Sequence, residues 1–279
     1  MRRVLKDHWR EYAIEAWCLA TFMGSACVFG VVIFHPASPV AVVGWAVRNV
    51  FMGVVMGATA VAIICSPWGK RSGAHFNPAV TLTFLRLRKI ARLDAAFYIL
   101  AHFVGGVAGV SISWVFLGDL LADSMVNFVA TVPGKYGIGT AFIAELVISF
   151  LMMSMILWTS NSVKLSRLTP YLAGIFVAFY ISVEAPVSGM SMNPARSLAS
   201  AAFAGTWASV WIYFLAPPIA MLAAAEVFVR IRGVRAVLCA KLNHNNRLTC
   251  IFNCGWGENH RGATQNTAFS ERAVFTDAV

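Results

Sequence analysis

The sequence predicts an all-α membrane protein: six transmembrane helices plus two re-entrant half-helices, arranged as an inverted repeat. Three observations carry that prediction. Hydrophobic residues make up 59% of the chain and charged residues only 12%, against roughly 25% charged in a soluble domain. The apolar residues gather into six long runs, and a bilayer crossing takes roughly 20 residues. One short pattern, a Ser-Gly turn followed by Asn-Pro-Ala, occurs twice. Its copies are Ser72-Gly73-Ala74-His75-Phe76-Asn77-Pro78-Ala79-Val80 and Ser188-Gly189-Met190-Ser191-Met192-Asn193-Pro194-Ala195-Arg196-Ser197.

Residues 1–11 form a basic N-terminal segment with Arg2, Arg3, Lys6 and Arg10. The charged start holds no apolar core, which argues against a cleavable signal peptide. A first span covers residues 12–34, interrupted only by Glu15, and a Pro-containing turn follows. A second span covers 49–65, with Arg48 at its edge. After Lys70 and Arg71 comes the first Asn-Pro-Ala. The apolar stretch it opens, 78–85, is too short to cross and stops at Arg86, Arg88, Lys89 and Arg92. A third span covers 95–117, then a polar, mildly acidic loop covers 118–138. The fourth span, 139–159, carries Glu145, and the fifth covers 171–183. The second Asn-Pro-Ala opens another short segment, 194–204. The last span, 210–229, contains Pro217 and Pro218. This divides the chain into segment 1–11, a membrane domain 12–230 and a polar, basic tail 231–279. The repeats within the membrane domain are 12–117 and 139–230, and disorder is expected after about residue 255.

The net charge of +10 does not point to nucleic acid, because the basic residues sit in short loops between apolar runs. With both termini in the cytoplasm, only Arg48, Lys135 and Arg196 of the 22 Lys and Arg fall outside. That asymmetry is the positive-inside pattern, so both termini are placed in the cytoplasm, in a plasma (inner) membrane. Three spans separate the two motifs, so the two halves have opposite orientations. Each half holds a span with one carboxylate near its start, a second span, a Ser-Gly…Asn-Pro-Ala half-segment and a third span.

Asn is a strong N-cap residue, and Pro suits the first helical position because it lacks the N–H that would be orphaned there. Each motif therefore starts a helix. Irregular backbone at membrane depth is tolerated only where it is buried in protein or lines a water-filled path. Two half-helices dipping in from opposite faces bring two N-termini together near the midplane, each with roughly half a positive charge. Such a point repels cations and orients a neutral polar molecule. Asn77 and Asn193 offer amide donors there. The carbonyls of the approach strands (Gly73, Ala74 and His75; Gly189, Met190 and Ser191) form a ladder of acceptors along the channel.

On these residues, the stretch 8–230 resembles the major intrinsic protein family, the aquaporins and aquaglyceroporins. Two Asn-Pro-Ala motifs, each after Ser-Gly and at matching places in an inverted repeat, make the resemblance specific. It implies an hourglass-shaped pore in each subunit, a homotetramer, no cofactor, and passive permeation of water or small uncharged solutes. Arg196 stands where the family has its filter arginine. Glu15 and Glu145 match the family's buried glutamates, which accept hydrogen bonds from the re-entrant loops. His75 is expected to hold its loop, with its carbonyl rather than its ring facing the pore.

The remaining filter positions follow from spacing: Met190, Ile181, and either Gly57 or Met56. Water-selective members usually carry His at the Ile181 position and a bulky aromatic at the Gly57/Met56 position. One hydrogen-bonding cation on an otherwise apolar ring suits glycerol, small polyols, urea or neutral metalloid acids. In the Ile181-to-Arg196 stretch the chain resembles the plant nodulin-26-like subfamily more than the orthodox water channels. Flexible methionines still allow a narrow lumen.

Within the tail, Cys239, His244, Cys250 and Cys254 are spaced C-x4-H-x5-C-x3-C. Zinc accepts such thiolates and imidazole. Reduced cytosolic thiols in a flexible tail are the competing reading. The spans offer no nucleophile–base pair, so an enzyme is not expected. A coupled secondary transporter is the alternative, because inverted repeats with broken helices build those too. Glu184, just before Pro186, has no assigned role.

Overall fold

The structure, a computed structural model, describes residues 2–244 and 250–256. Ten α-helices form among the described residues: α1 (Arg2–Phe34), α2 (Trp45–Cys65), α3 (Pro67–Ser72), α4 (Pro78–Arg86), α5 (Arg92–Leu117), α6 (Asp119–Ala122), α7 (Gly137–Ser160), α8 (Thr169–Ser188), α9 (Pro194–Ala204) and α10 (Val210–Arg232). Six are long and apolar enough to cross a membrane: α1, α2, α5, α7, α8 and α10. The half-helices α4 and α9 are the two short segments that follow Asn-Pro.

Three boundaries differ from the sequence reading, each for a local reason. From Arg2 onward the basic N-terminal segment is helical and continuous with the first span, because nothing in it breaks a helix. The fifth span runs on through Glu184 and Pro186 to Ser188, where Gly189 at φ 84° ends it. A proline tolerated inside a membrane helix accounts for the difference. The loop 118–138 is not only a polar connector. It contains α6 and buries Leu121, Val126 and Phe128 against the bundle.

Close backbone approach sets the packing. A Cβ on Gly57 would lie 2.4 Å from the Gly174 carbonyl oxygen, and one on Gly105 would lie 2.1 Å from that of Ala16. Only hydrogen fits at either point, so α2 lies tightly on α8 and α5 on α1. The large apolar side chains left on the outside, such as Val115 and Phe116 at 81% and 82% exposed, face where lipid must be. In lipid they cost nothing, so their exposure is consistent with a bilayer-embedded bundle.

Candidate functional site

Helices α4 and α9 start head to head. The Asn77 side chain caps α4 by accepting from the Ala79 N–H at 2.8 Å, and Asn193 caps α9 by accepting from Ala195 and Arg196 at 3.0 and 3.2 Å. The amide nitrogens then cross over. Asn77 Nδ2 donates to the Met192 carbonyl at 2.7 Å, and Asn193 Nδ2 donates to the Phe76 carbonyl at 2.8 Å. Each NH₂ has two hydrogens. One ties the loops together and one remains for the lumen, so the site offers a donor per asparagine rather than the whole amide group.

The approach strands are held in an unusual backbone shape. Ala74 and Phe76 have φ of 54° and 30°, and Met190 and Met192 have 46° and 54°. Non-glycine residues at positive φ cost of order 1–3 kcal/mol each and persist only where the surroundings impose them. The buried glutamates impose them here. Glu15 accepts from the His75 N–H at 3.1 Å and the Phe76 N–H at 2.7 Å. Glu145 accepts from the Ser191 N–H at 2.6 Å, the Met192 N–H at 2.8 Å and the Ser188 hydroxyl at 2.8 Å. Tyr98 and Tyr213 repeat the symmetry by donating to the carbonyls of Ser72 and Ser188. His102, which the sequence reading passed over, lies fully buried with Nε2 2.9 Å from Glu15. Its signal was available, since an ionisable residue inside a span is a site candidate by default.

A cavity of about 280 Å³ leads to this meeting point and is lined by Asn77, Met190, Ser191, Met192, Asn193 and Arg196 from the loops. That is far more than the roughly 30 Å³ share of one water. Ile181 and Met56 also line it; Gly57 does not. Gly57 is spent on the α2–α8 contact, which corrects its placement as a filter residue. Asn49, Met52 and Met56 recur at helical spacing and all line the cavity. Their face of α2 looks inward while Gly53 and Gly57 face α8. Counting back from Asn77 could not separate these faces, because α3 is inserted between α2 and the loop. Residues 125–132 of the supposed connector also contribute to the wall through Met125, Val126, Val129, Ala130 and Val132.

Arg196 is the one charged side chain in that lining, and its Nη1 is buried with no hydrogen-bond partner among the described residues. The residue lines the cavity while this nitrogen is itself enclosed by protein. Glu184 is buried in α8, and neither carboxylate oxygen has a hydrogen-bond partner among the described residues.

The opposite approach strand is covered. The Gly73 carbonyl accepts from the Leu242 N–H at 3.1 Å, so it is not the free pore acceptor expected of it. The His75 ring is pinned between Thr81 Oγ1 at 2.9 Å and the Ala240 carbonyl at 2.8 Å. Gly189 and Ser191 do line the cavity, whereas Gly73, Ala74 and His75 are absent from its wall. The covering residues belong to the tail, where Cys239, His244, Cys250 and Cys254 come together with their ligand atoms within 4.8 Å of one another. The expected disorder after residue 255 falls almost entirely outside the described residues.

A sequence profile described as Major intrinsic protein matches residues 6–228. The chain is 36% identical over 177 residues to the probable aquaporin NIP4-2 of Arabidopsis thaliana, covering 60% of this chain and 58% of that protein. It is 36% identical over 169 residues to the glycerol uptake facilitator protein-like 6 of Lactiplantibacillus plantarum, covering 60% and 78%. With nodulin-26 of Glycine max the identity is 32% over 169 residues, covering 59% of each. The chain thus spans about three fifths of the length of the two plant relatives. The X-ray structure of the aquaglyceroporin from Plasmodium falciparum superposes with a TM-score of 0.66 at 17% identity, covering 82% of this chain and 98% of that one. That likeness is one of fold.

Proposed function

The chain belongs to the major intrinsic protein family, and from that premise we propose that it is a passive transmembrane channel for water and small uncharged solutes. The observation that carries the proposal is the pair Asn77 and Asn193. Each caps a half-helix and crosses to the opposite loop, with one amide hydrogen left to the lumen between two positive helix ends. A cation meets repulsion there, and a neutral hydrogen-bonding molecule meets donors.

The solute class follows from the outer wall. Ile181, Met52, Met56, Met190 and Arg196 present one cation among apolar side chains. A molecule with a polar and an apolar face, such as glycerol, a small polyol, urea or a neutral metalloid acid, matches that wall, and water passes with it. In this reading Arg196, Ile181, Met190 and Met56 act as the filter, Glu15 and Glu145 hold the loops, and both termini lie in the cytoplasm of a multi-pass plasma-membrane homotetramer. A coupled transporter needs an ion-binding or titrating group at the site. The cavity wall holds no acidic side chain among the described residues, which favours the channel.

Stopped-flow light scattering on proteoliposomes tests the proposal. Sucrose gradients should shrink the vesicles faster than protein-free controls. Glycerol or urea gradients should give re-swelling that does not saturate and ignores an imposed proton or sodium gradient. Saturable, gradient-driven uptake would replace the channel with a transporter. Water flow without any glycerol or urea entry would remove the wider solute class.

A further inference from the structure

The tail folds back onto the membrane domain on the side where α1 begins and α10 ends. Asn253 donates through its backbone N–H to the Lys89 carbonyl at 3.0 Å and through Nδ2 to the Arg88 carbonyl at 2.7 Å. The Leu238 N–H donates to Asn161 Oδ1 at 2.6 Å. The Phe252 ring stacks on His75, with centroids 5.5 Å apart and planes at 12°. Residues 237–244 and 250–256 contain almost no regular secondary structure. Such a stretch has little of its own to offset the entropy of ordering. Something must close it, and the Cys/His cluster lies where a clasp would.

We propose that Cys239, His244, Cys250 and Cys254 bind one Zn²⁺, and that this ion clasps the tail over the inner mouth of the pore. The site rests on the channel reading only for what it closes, not for the metal chemistry. Four observations support it. First, the four ligand atoms lie within 4.8 Å of one another, near enough for small side-chain shifts to close them on one ion. Cys239 and Cys250 sulfurs are 3.5 Å apart, and Cys254 Sγ lies 3.0 Å from His244 Nε2. Ligands at about 2.0–2.3 Å on a zinc tetrahedron lie roughly 3.3–3.8 Å from each other. Second, the set is complete. Three thiolates and one imidazole fill a closed structural site and leave no position for substrate.

Third, a supporting shell is already in place. Backbone N–H groups of Lys241, Phe252 and Trp256 point at the sulfurs of Cys239, Cys250 and Cys254, each two residues after its cysteine. The Trp256 ring stacks on His244 at 5.4 Å and 13°. Such contacts orient ligands and disperse thiolate charge. Fourth, the charge balances. Three thiolates around Zn²⁺ carry a net charge of −1. Lys241 is 1% exposed, and its ammonium has no hydrogen-bond partner among the described residues. A buried cation needs a counter-charge, and Lys241 stands two residues after Cys239 in the chain.

The clasp acts on the pore through two short links. Cys239 is followed by Ala240, which holds the His75 ring, and by Leu242, which takes the Gly73 carbonyl. Cys250 and Cys254 bracket Phe252, which covers the same strand; a Cβ on Gly73 would lie 3.0 Å from its ring. Losing the metal frees both links together and uncovers the inner approach strand.

Full-length protein, purified under reducing conditions and equilibrated with zinc, should carry one zinc per chain by elemental analysis. The double variant C250S/C254S should lose it while keeping the same oligomeric size. Cobalt in place of zinc should give the strong absorbance of thiolate-to-cobalt charge transfer. In proteoliposomes, stripping zinc from the full chain should raise water and glycerol flux several-fold, and re-adding it should reverse the change. A chain without zinc, a variant that retains it, or a Cys239–Cys250 disulfide in intact mass without metal overturns the site. Equal flux with and without bound zinc overturns the clasp. If both forms stay at the level of protein-free vesicles while zinc is bound, the channel reading fails and the metal site stands.

Discussion

Replacing Glu145 by Gln keeps the side-chain volume and removes its charge. In the native chain one carboxylate oxygen accepts from the Ser191 N–H and the Ser188 hydroxyl, and the other accepts from the Met192 N–H. Gln has a single acceptor oxygen. Whichever way its amide turns, its NH₂ must face at least one of these donors. A buried N–H is then left unsatisfied, at a cost of about 1–3 kcal/mol. The bonds that survive lose their charge assistance and about half their strength, or roughly another 1–2 kcal/mol. Relief of the buried charge offsets several kcal/mol in the opposite direction when a paired ion is replaced by apolar groups. Gln remains polar and recovers less of it, so the net loss is about 2–3 kcal/mol. For a chain of this length that lowers Tm by roughly 5–10 °C at 2–4 °C per kcal/mol. The loss is local as well as global, because the glutamate holds Met190 and Met192 at φ of 46° and 54°. Once released, that strand relaxes, and its carbonyls and the Met190 side chain leave the lumen wall. The assay is thermal unfolding of the purified protein in detergent, paired with proteoliposome water flux. Glu145→Gln should lower both. A Tm within about 1 °C of the parent, with unchanged flux, would refute the claim that this carboxylate shapes the loop, since even one orphaned N–H is worth more than that.

Two further substitutions probe the lumen and its packing. Arg196→Ala removes the one charge in the cavity wall; flow should continue, while discrimination among glycerol, urea and larger polyols narrows and cation leak rises, read by the same flux assays and a pH-sensitive dye inside the vesicles. Gly57→Val puts a branched side chain where a Cβ alone would sit 2.4 Å from the Gly174 carbonyl; it should force α2 from α8 and destabilise by about 1–3 kcal/mol, as overpacking does, whereas Met56→Val, on the lumen face, should change solute flux with little loss of Tm.

The sequence made the architecture legible because two strong signals overlap. Apolar runs and basic-loop asymmetry report the membrane directly, and Asn-Pro reports a helix start wherever it occurs. The site's wall was less legible. Asn49 and Met52 stand seven and four residues before Met56, yet fixing which face of α2 looks inward required the contact with α8. That contact depends on Gly174, more than a hundred residues away. Counting from Asn77 failed because α3 takes up chain between α2 and the loop. The connector 118–138 looked polar in composition, yet Met125, Val126, Val129, Ala130 and Val132 from it line the cavity. The cysteine cluster was visible as spacing alone. Its meaning came only from the partners that bring it beneath the pore: Gly73, Arg88, Lys89 and Asn161.

The repeat that organises the chain is symmetric in its scaffold and asymmetric in its use. Glu15 and Glu145 brace equivalent strands, Tyr98 and Tyr213 hold equivalent serine carbonyls, and Asn77 and Asn193 exchange equivalent bonds across the midplane. Beyond those pairs the halves diverge. The second strand leads to Arg196, and Gly189, Met190, Ser191, Met192 and Arg196 all line the cavity. The first strand has Val80 where the second has Arg196. Its carboxylate gains His102, its His75 ring is locked by Thr81 and Ala240, and its Gly73 carbonyl is occupied by the tail. In the proposed channel, two helix starts facing each other would repel cations from either side equally, so the duplicated element cannot by itself decide which solute passes or when. The divergence supplies both decisions. On the two proposals made above, selection falls to the half that lines the open cavity, and closure falls to the half whose acceptor strand is overlaid. A duplicated scaffold with one free strand and one covered strand is therefore suited to separate control of what passes and of when it passes.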